Sequence, residues 1–205
     1  MQSNAILFLL GLVSGVSTLG IRRRYNDGQV RLTYYWMAIE SEFPEDNEQT
    51  TDLESCSSGE TIKQVSTEYY ETIKLEGSGQ LTTGELVNCE NQECTCFEVV
   101  DGGAKGNRDN PLQPYVSVAS IGFPSGTKIY VEKLDGVILP SGLTHNGCVI
   151  VDDTGHDLDI AHIDMFVVSH QNYEAMDAVV PSGQVEAQIN SSCEILDYTQ
   201  GSPDY

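Results

Sequence analysis

Between residues 95 and 168 the chain is cut into short runs of β-branched and aromatic residues, separated by glycine and proline. Residues 127–134 (TKIYVEKL) alternate cleanly, and residues 115–121 (YVSVASI) alternate weakly. Residues 95–100 (TCFEVV), 148–151 (CVIV) and 163–168 (IDMFVV) complete the set. Short strands at this density, with turns such as Pro124-Ser125-Gly126 between them, point to a small β-barrel. Upstream, residues 30–40 (VRLTYYWMAIE) read as a further strand, and residues 61–76 (TIKQVSTEYYETIKLE) suit strands better than a helix. Residues 41–60, acidic and without periodicity, read as an exposed loop. The stretch from residue 181 onward is polar and reads as a tail tied to the body by Cys193.

Six cysteines, Cys56, Cys89, Cys94, Cys96, Cys148 and Cys193, follow an apolar run near the N-terminus. That run, residues 5–16, has signal-peptide length and is too short to span a bilayer. It ends abruptly at Ile21-Arg22-Arg23-Arg24, which reads as a short pro-segment or a processing site. The expected division is a signal at 1–20, a basic linker at 21–29, a barrel domain at 30–180 and a tail at 181–205. An even cysteine count behind a secretory signal implies disulfides, three here, in an extracellular protein. Six cysteines allow 15 pairings, and these remain open, although Cys94 and Cys96 should have different partners.

The charge is lopsided, with 31 Asp+Glu against 10 Lys+Arg and a net charge of -21. Such a surface repels nucleic acid and anionic membranes. The expected protein is a soluble monomer once its signal is removed. The histidines His145, His156, His162 and His170 fit no standard ligand spacing, so they suggest surface or hydrogen-bonding roles, with no metal or cofactor expected.

The sharpest local feature is Val151-Asp152-Asp153-Thr154-Gly155 followed by His162-Ile163-Asp164-Met165-Phe166. Asp164 lies between apolar neighbours on a strand, so its side chain points opposite to theirs. Asp153 opens a turn where its carboxylate can cap backbone N–H groups. Taken alone, these positions equally suit a turn aspartate and a solvent-facing strand residue.

A longer series adds to this reading. Gly106 to Ala119, Phe123 to Val131, Asp135 to Pro140, His145 to Cys148, Asp153-Thr154-Gly155 and Ile163-Asp164-Met165-Phe166 together resemble the three-aspartate (3D) domain of MltA-type lytic transglycosylases. Leu32 to Glu40 and Glu76-Gly77-Ser78-Gly79-Gln80-Leu81 resemble segments of the same proteins. The resemblance implies a mainly β, disulfide-stabilised fold: a six-stranded double-psi β-barrel with N-terminal strands and loop insertions. It also implies cleavage of the β-1,4 bond between N-acetylmuramic acid and N-acetylglucosamine, leaving a 1,6-anhydro end. On this basis Asp164 is the catalytic acid and base, with Asp153 beside it. Tyr35, Trp36 and Tyr115 are candidates to stack on sugar rings. Thr154, Thr33 and Tyr34 are candidates to bond to the glycan. Where the family has its first aspartate, before a turn, this chain has Ala119-Ser120-Ile121-Gly122-Phe123-Pro124 and none. That loss keeps two rivals open: a non-catalytic, expansin-like wall-glycan binder, and a secreted effector on the same scaffold.

Overall fold

The computed structural model describes residues 28–43, 49–91, 93–155 and 158–199. The leader, the arginine segment and His156 lie outside them.

The chain starts in β1 (Gly28–Tyr35), then β2 (Ala38–Ile39), β3 (Thr50–Glu54) and β4 (Thr61–Ser66). Helix α1 (Thr67–Glu76) leads to β5 (Ser78–Gln80), β6 (Leu86–Cys89) and β7 (Phe97–Val100). Next come β8 (Ser117–Ala119), β9 (Lys128–Val131), β10 (Cys148–Asp153) and β11 (His162–Phe166). Helix α2 (His170–Val179) and β12 (Gly183–Ile189) finish the order.

Six strands close into a barrel in the order β1-β11-β8-β10-β9-β12. The pairs β1–β11 and β8–β10 are parallel and the other four antiparallel. Closure leaves no unpaired edge on this short-stranded sheet. Alternation fills the interior: Val30, Leu32 and Tyr34 from β1, Ile163 and Met165 from β11, and Val185 and Ala187 from β12 all point inward. Leu32, Ile163 and Met165 are completely buried. Each such side chain contributes roughly 1.5–3 kcal/mol by leaving water.

Residues between β1 and β8 form an inserted lobe. Its sheet runs β2-β5-β6-β7, the hairpin β3–β4 lies beside it, and α1 packs on both. Leu53, Val65, Tyr69, Ile73, Val87 and Phe97 give it a core separate from that of the barrel. Gly79 sits directly under α1, where any Cβ would strike Tyr69 and Ile73.

Three sequence expectations change here. Residues 67–76 are helical despite their Thr, Tyr and Ile content. Ser66 caps the helix by accepting the Tyr69 N–H, and Gly77 ends it with a left-handed φ of 80°. Tyr69, Ile73 and Glu76, spaced four and three apart, supply the buried face. Within the expected loop 41–60, Thr50–Glu54 is a strand anchored by the fully buried Leu53. The stretch from residue 181, read as a tail, supplies barrel strand β12, held by Val185 and Ala187 in the core.

Three disulfides form: Cys56–Cys96, Cys89–Cys94 and Cys148–Cys193. Cys94 and Cys96 do have different partners.

Candidate active site

One row of residues crosses four neighbouring barrel strands. The register places Thr33 opposite Asp164, Asp164 opposite Ala119, and Ala119 opposite Asp153. Thr33 and Asp164 alternate with inward-facing core residues and so face out of the barrel wall.

Strict alternation would send Asp153 inward with Val149 and Val151. A bulge between Val151 and Asp153 shifts the β10 register against β8. The extra residue re-aims Asp153 to the outer face. There it accepts three hydrogen bonds: from Tyr35 Oη at 2.7 Å, from the Asn107 N–H at 2.9 Å and from the Thr154 N–H at 2.8 Å. Burial raises the Asp153 pKa, and these donors oppose the rise.

Asp164 differs. Among the described residues its side chain has one hydrogen bond, from Thr33 Oγ1 to Oδ1 at 2.5 Å. Burial pushes its pKa up to about 6, the Asp153 charge adds to this, and Thr33 and Arg31 oppose it. Both oxygens of Asp153 are therefore engaged, while among the described residues Asp164 Oδ2 has no hydrogen-bond partner.

Glu76 enters from the inserted lobe at the end of α1. It is buried, and its Oε2 accepts the Trp36 N–H at 3.0 Å. Burial pushes its pKa up to about 8, opposed by the Trp36 bond and reinforced by the charge of Asp164. Asp152, on the bulge, accepts the Ser117 hydroxyl at 2.9 Å on one oxygen, while its other oxygen is buried without a partner. Its pKa rises to about 6, chiefly by burial. Beside Asp153 lies a cavity of about 150 Å³ lined by Asn107, Arg108, Ser120, Phe123 and Thr154 among others. Ser120, near the place of the absent aspartate, is buried and donates to the His162 carbonyl at 2.7 Å. Gly122 presses so closely on the Ile160 carbonyl that no side chain fits there. Among the described residues no group of three or more His, Cys, Asp or Glu side chains is arranged to hold a metal.

No protein-family model matches the sequence, and no curated protein matches it by sequence. Solved structures do share its fold. MltA of Escherichia coli with bound chitohexaose aligns at 13% identity and a TM-score of 0.54, over 79% of this chain and 71% of that one. The chain has the fold of MltA lytic transglycosylases. A membrane-bound lytic murein transglycosylase of Agrobacterium tumefaciens aligns at 11% identity and a TM-score of 0.49, over 80% and 73%. The lytic transglycosylase LtgG of Burkholderia pseudomallei aligns at 13% and 0.41, over 80% and 73%.

On this MltA fold, Asp164, Asp153, Tyr35 and Thr154 come together on one stretch of the outer barrel wall, and Thr33 joins them. Tyr35 reaches Asp153 through its hydroxyl and packs its ring on Phe166, with centroids 5.4 Å apart. Trp36 lies against His170 and Tyr173 of α2, and its backbone N–H holds Glu76. Two expectations need correction. Tyr115 is buried in the barrel core and has no face for a sugar. Tyr34 also turns inward, donating to the Val180 carbonyl at 2.6 Å. Glu76, which feels the charge of Asp164, was not singled out from the sequence, although it heads the Glu76-Gly77-Ser78-Gly79 segment that carried part of the resemblance. His162, expected in a surface or hydrogen-bonding role, is buried with Nε2 2.7 Å from Thr33 Oγ1.

Proposed function

We propose that this chain is a secreted lytic transglycosylase-like enzyme that cleaves β-1,4 glycosidic bonds of peptidoglycan or a related cell-wall glycan. The observation that carries the reading is the contrast between two neighbouring aspartates. Both oxygens of Asp153 are engaged by three donors, whereas Asp164 has one side-chain donor, a raised pKa and, among the described residues, an oxygen with no hydrogen-bond partner. A pKa of about 6 lets one carboxyl act as acid and then as base at mildly acidic pH.

The step balances on that single group. Protonated Asp164 gives its proton to the leaving glycosidic oxygen as the C1–O bond breaks. The muramic 6-hydroxyl oxygen then bonds to C1, and its proton passes to the Asp164 carboxylate. The products are a 1,6-anhydro end and a shortened glycan, with the acid restored. No water is consumed, so the two-carboxylate spacing of ordinary glycosidases is not needed. Glu76, with its pKa near 8, stays neutral at the working pH, so it holds the Trp36 N–H without adding charge near Asp164. The bound chitohexaose of the Escherichia coli MltA structure supports a glycan ligand for this site.

The Ala119-Ser120 stretch favours a second reading, a glycan-binding barrel without catalysis, because a family carboxylate is absent there. Mass spectrometry of soluble products from peptidoglycan at about pH 5 decides between them. The wild type should release anhydro-muropeptides, and Asp164→Asn should release none while still sedimenting with the glycan. Hydrolytic reducing ends would overturn the mechanism. Binding without products from either protein would favour the second reading.

A further inference from the structure

Three polar side chains stand in series on the outer face of the barrel wall. Thr33 Oγ1 lies 2.5 Å from Asp164 Oδ1 and 2.7 Å from His162 Nε2. The parallel register pairs Thr33 with Asp164 and Arg31 with His162. His162 and Asp164 project to the same side of β11, so the Thr33 hydroxyl on β1 falls between them.

A hydroxyl has one proton and two lone pairs. An ionised Asp164 can only accept, so the Thr33 proton points to Oδ1. Thr33 then offers His162 only a lone pair, and His162 must carry its proton on Nε2. His162 Nδ1 is buried and has no hydrogen-bond partner among the described residues. A proton there would be a buried donor without an acceptor, which is costly. The direction of the whole series therefore follows from its two ends, and each bond polarises the next.

We infer that His162 and Thr33 are positioning residues that dedicate Oδ1 of Asp164 to accepting a hydrogen bond, so that Oδ2 carries the proton exchanged with the glycan. The inference rests on the transglycosylase reading of Asp164. The charged and titratable groups facing this series are Arg31 and Tyr35 on β1, Asp153 on β10, Glu76 on α1 and Asp159 ahead of β11. Burial and Arg31 both disfavour a charged His162, and Asp159 opposes them. The neutral Nε2–H form that the geometry requires is thus also the form that the surroundings favour.

The first test is ¹⁵N NMR of the histidine ring in the intact protein, with the Asp164 carboxyl titrated by ¹³C NMR. His162 should be the neutral Nε2–H tautomer. Thr33→Val should mix its tautomers and move the Asp164 titration upward, because a donor to the charged carboxylate is gone. The second test is kinetic. Thr33→Val and His162→Leu should each lower kcat roughly tenfold or more with little change in KM. Thr33→Ser and His162→Gln, which restore a donor, should recover most of that loss. The double variant Thr33→Val/His162→Leu should be no worse than Thr33→Val alone, since both act through one series. An Nδ1–H tautomer, an unmoved Asp164 titration or additive losses would each overturn the inference. If the wild type cleaves no glycan, the transglycosylase reading fails and the role in proton exchange fails with it. The hydrogen-bond series itself would still be decided by the tautomer.

Discussion

Glu76 and Asp164 are both taken out of water, but their surroundings give them different work. Asp164, pushed up to about 6, can change state at mildly acidic pH, whereas Glu76, pushed up to about 8, holds its proton there. For Glu76 the folded pKa lies above the unfolded value of 4.5. Its contribution to stability is therefore full below the unfolded value and is lost as pH rises through about 8. Glu76→Gln keeps an oxygen for the Trp36 N–H and cannot ionise. Its thermal midpoint should match the wild type near pH 5 and exceed it near pH 8.5, by roughly 2–4 °C for each kcal/mol recovered. Equal midpoints at both pH values in scanning calorimetry would show that Glu76 is not held neutral. Asp164 was legible in the sequence because an acid between Ile163 and Met165 breaks an apolar strand. Glu76 was not, since an acid at the end of a segment rich in Glu reads as solvated. Its burial depends on the inserted lobe meeting the barrel.

At the scale of elements, local chemistry and long-range packing pull different segments. The cap pair Ser66 and Gly77 made α1 readable, but the β-branched content of residues 61–66 masked it. Strand β12 was unreadable for a different reason. Its apolar positions, Val185 and Ala187, are few and small, and only the closed barrel gives them a core to enter. The Cys148–Cys193 disulfide joins β10 to the chain just after β12, closing 45 residues. The chain-entropy estimate for such a loop is about 4 kcal/mol. Replacing both cysteines by alanine should lower the urea midpoint by up to that much in free energy. A loss near zero would mean that the strand pairing alone holds this end of the chain.

For the whole molecule, pH sets several groups against one another. Glu76, Asp152, Asp153 and Asp164 all have raised pKa values, so each withdraws stability as pH rises through its folded value. His145 and His162 have lowered values, so they withdraw stability as pH falls through the unfolded value of 6.5. At the surface Glu98, Asp177 and Asp197, held low by hydrogen bonds, withdraw a little more in strong acid. Above 6.5 only the acids act, and a net charge of -21 adds self-repulsion. The thermal midpoint should therefore peak on the mildly acidic side of neutrality and fall toward pH 8.5. Added salt should soften that fall by screening. A midpoint that rises steadily to pH 8.5 would contradict the assignment of neutral buried acids.

The sequence by itself determined the barrel class, the even set of cysteines, the acidic surface and the pair Asp153 and Asp164. Each of these depends on local pattern or composition: period-two alternation, turn residues, counts and short motifs. Only the tertiary structure decided which face Asp153 meets, because a bulge in β10 reverses the alternation that its neighbours imply. It also decided that Glu76 is buried within reach of the Asp164 charge, that Tyr115 turns into the core, and that Thr33 bridges His162 and Asp164. The last of these depends on residues 129 and 131 positions apart coming into register. Such pairing is set by the closure of the whole barrel around its core, and no local stretch of sequence contains it.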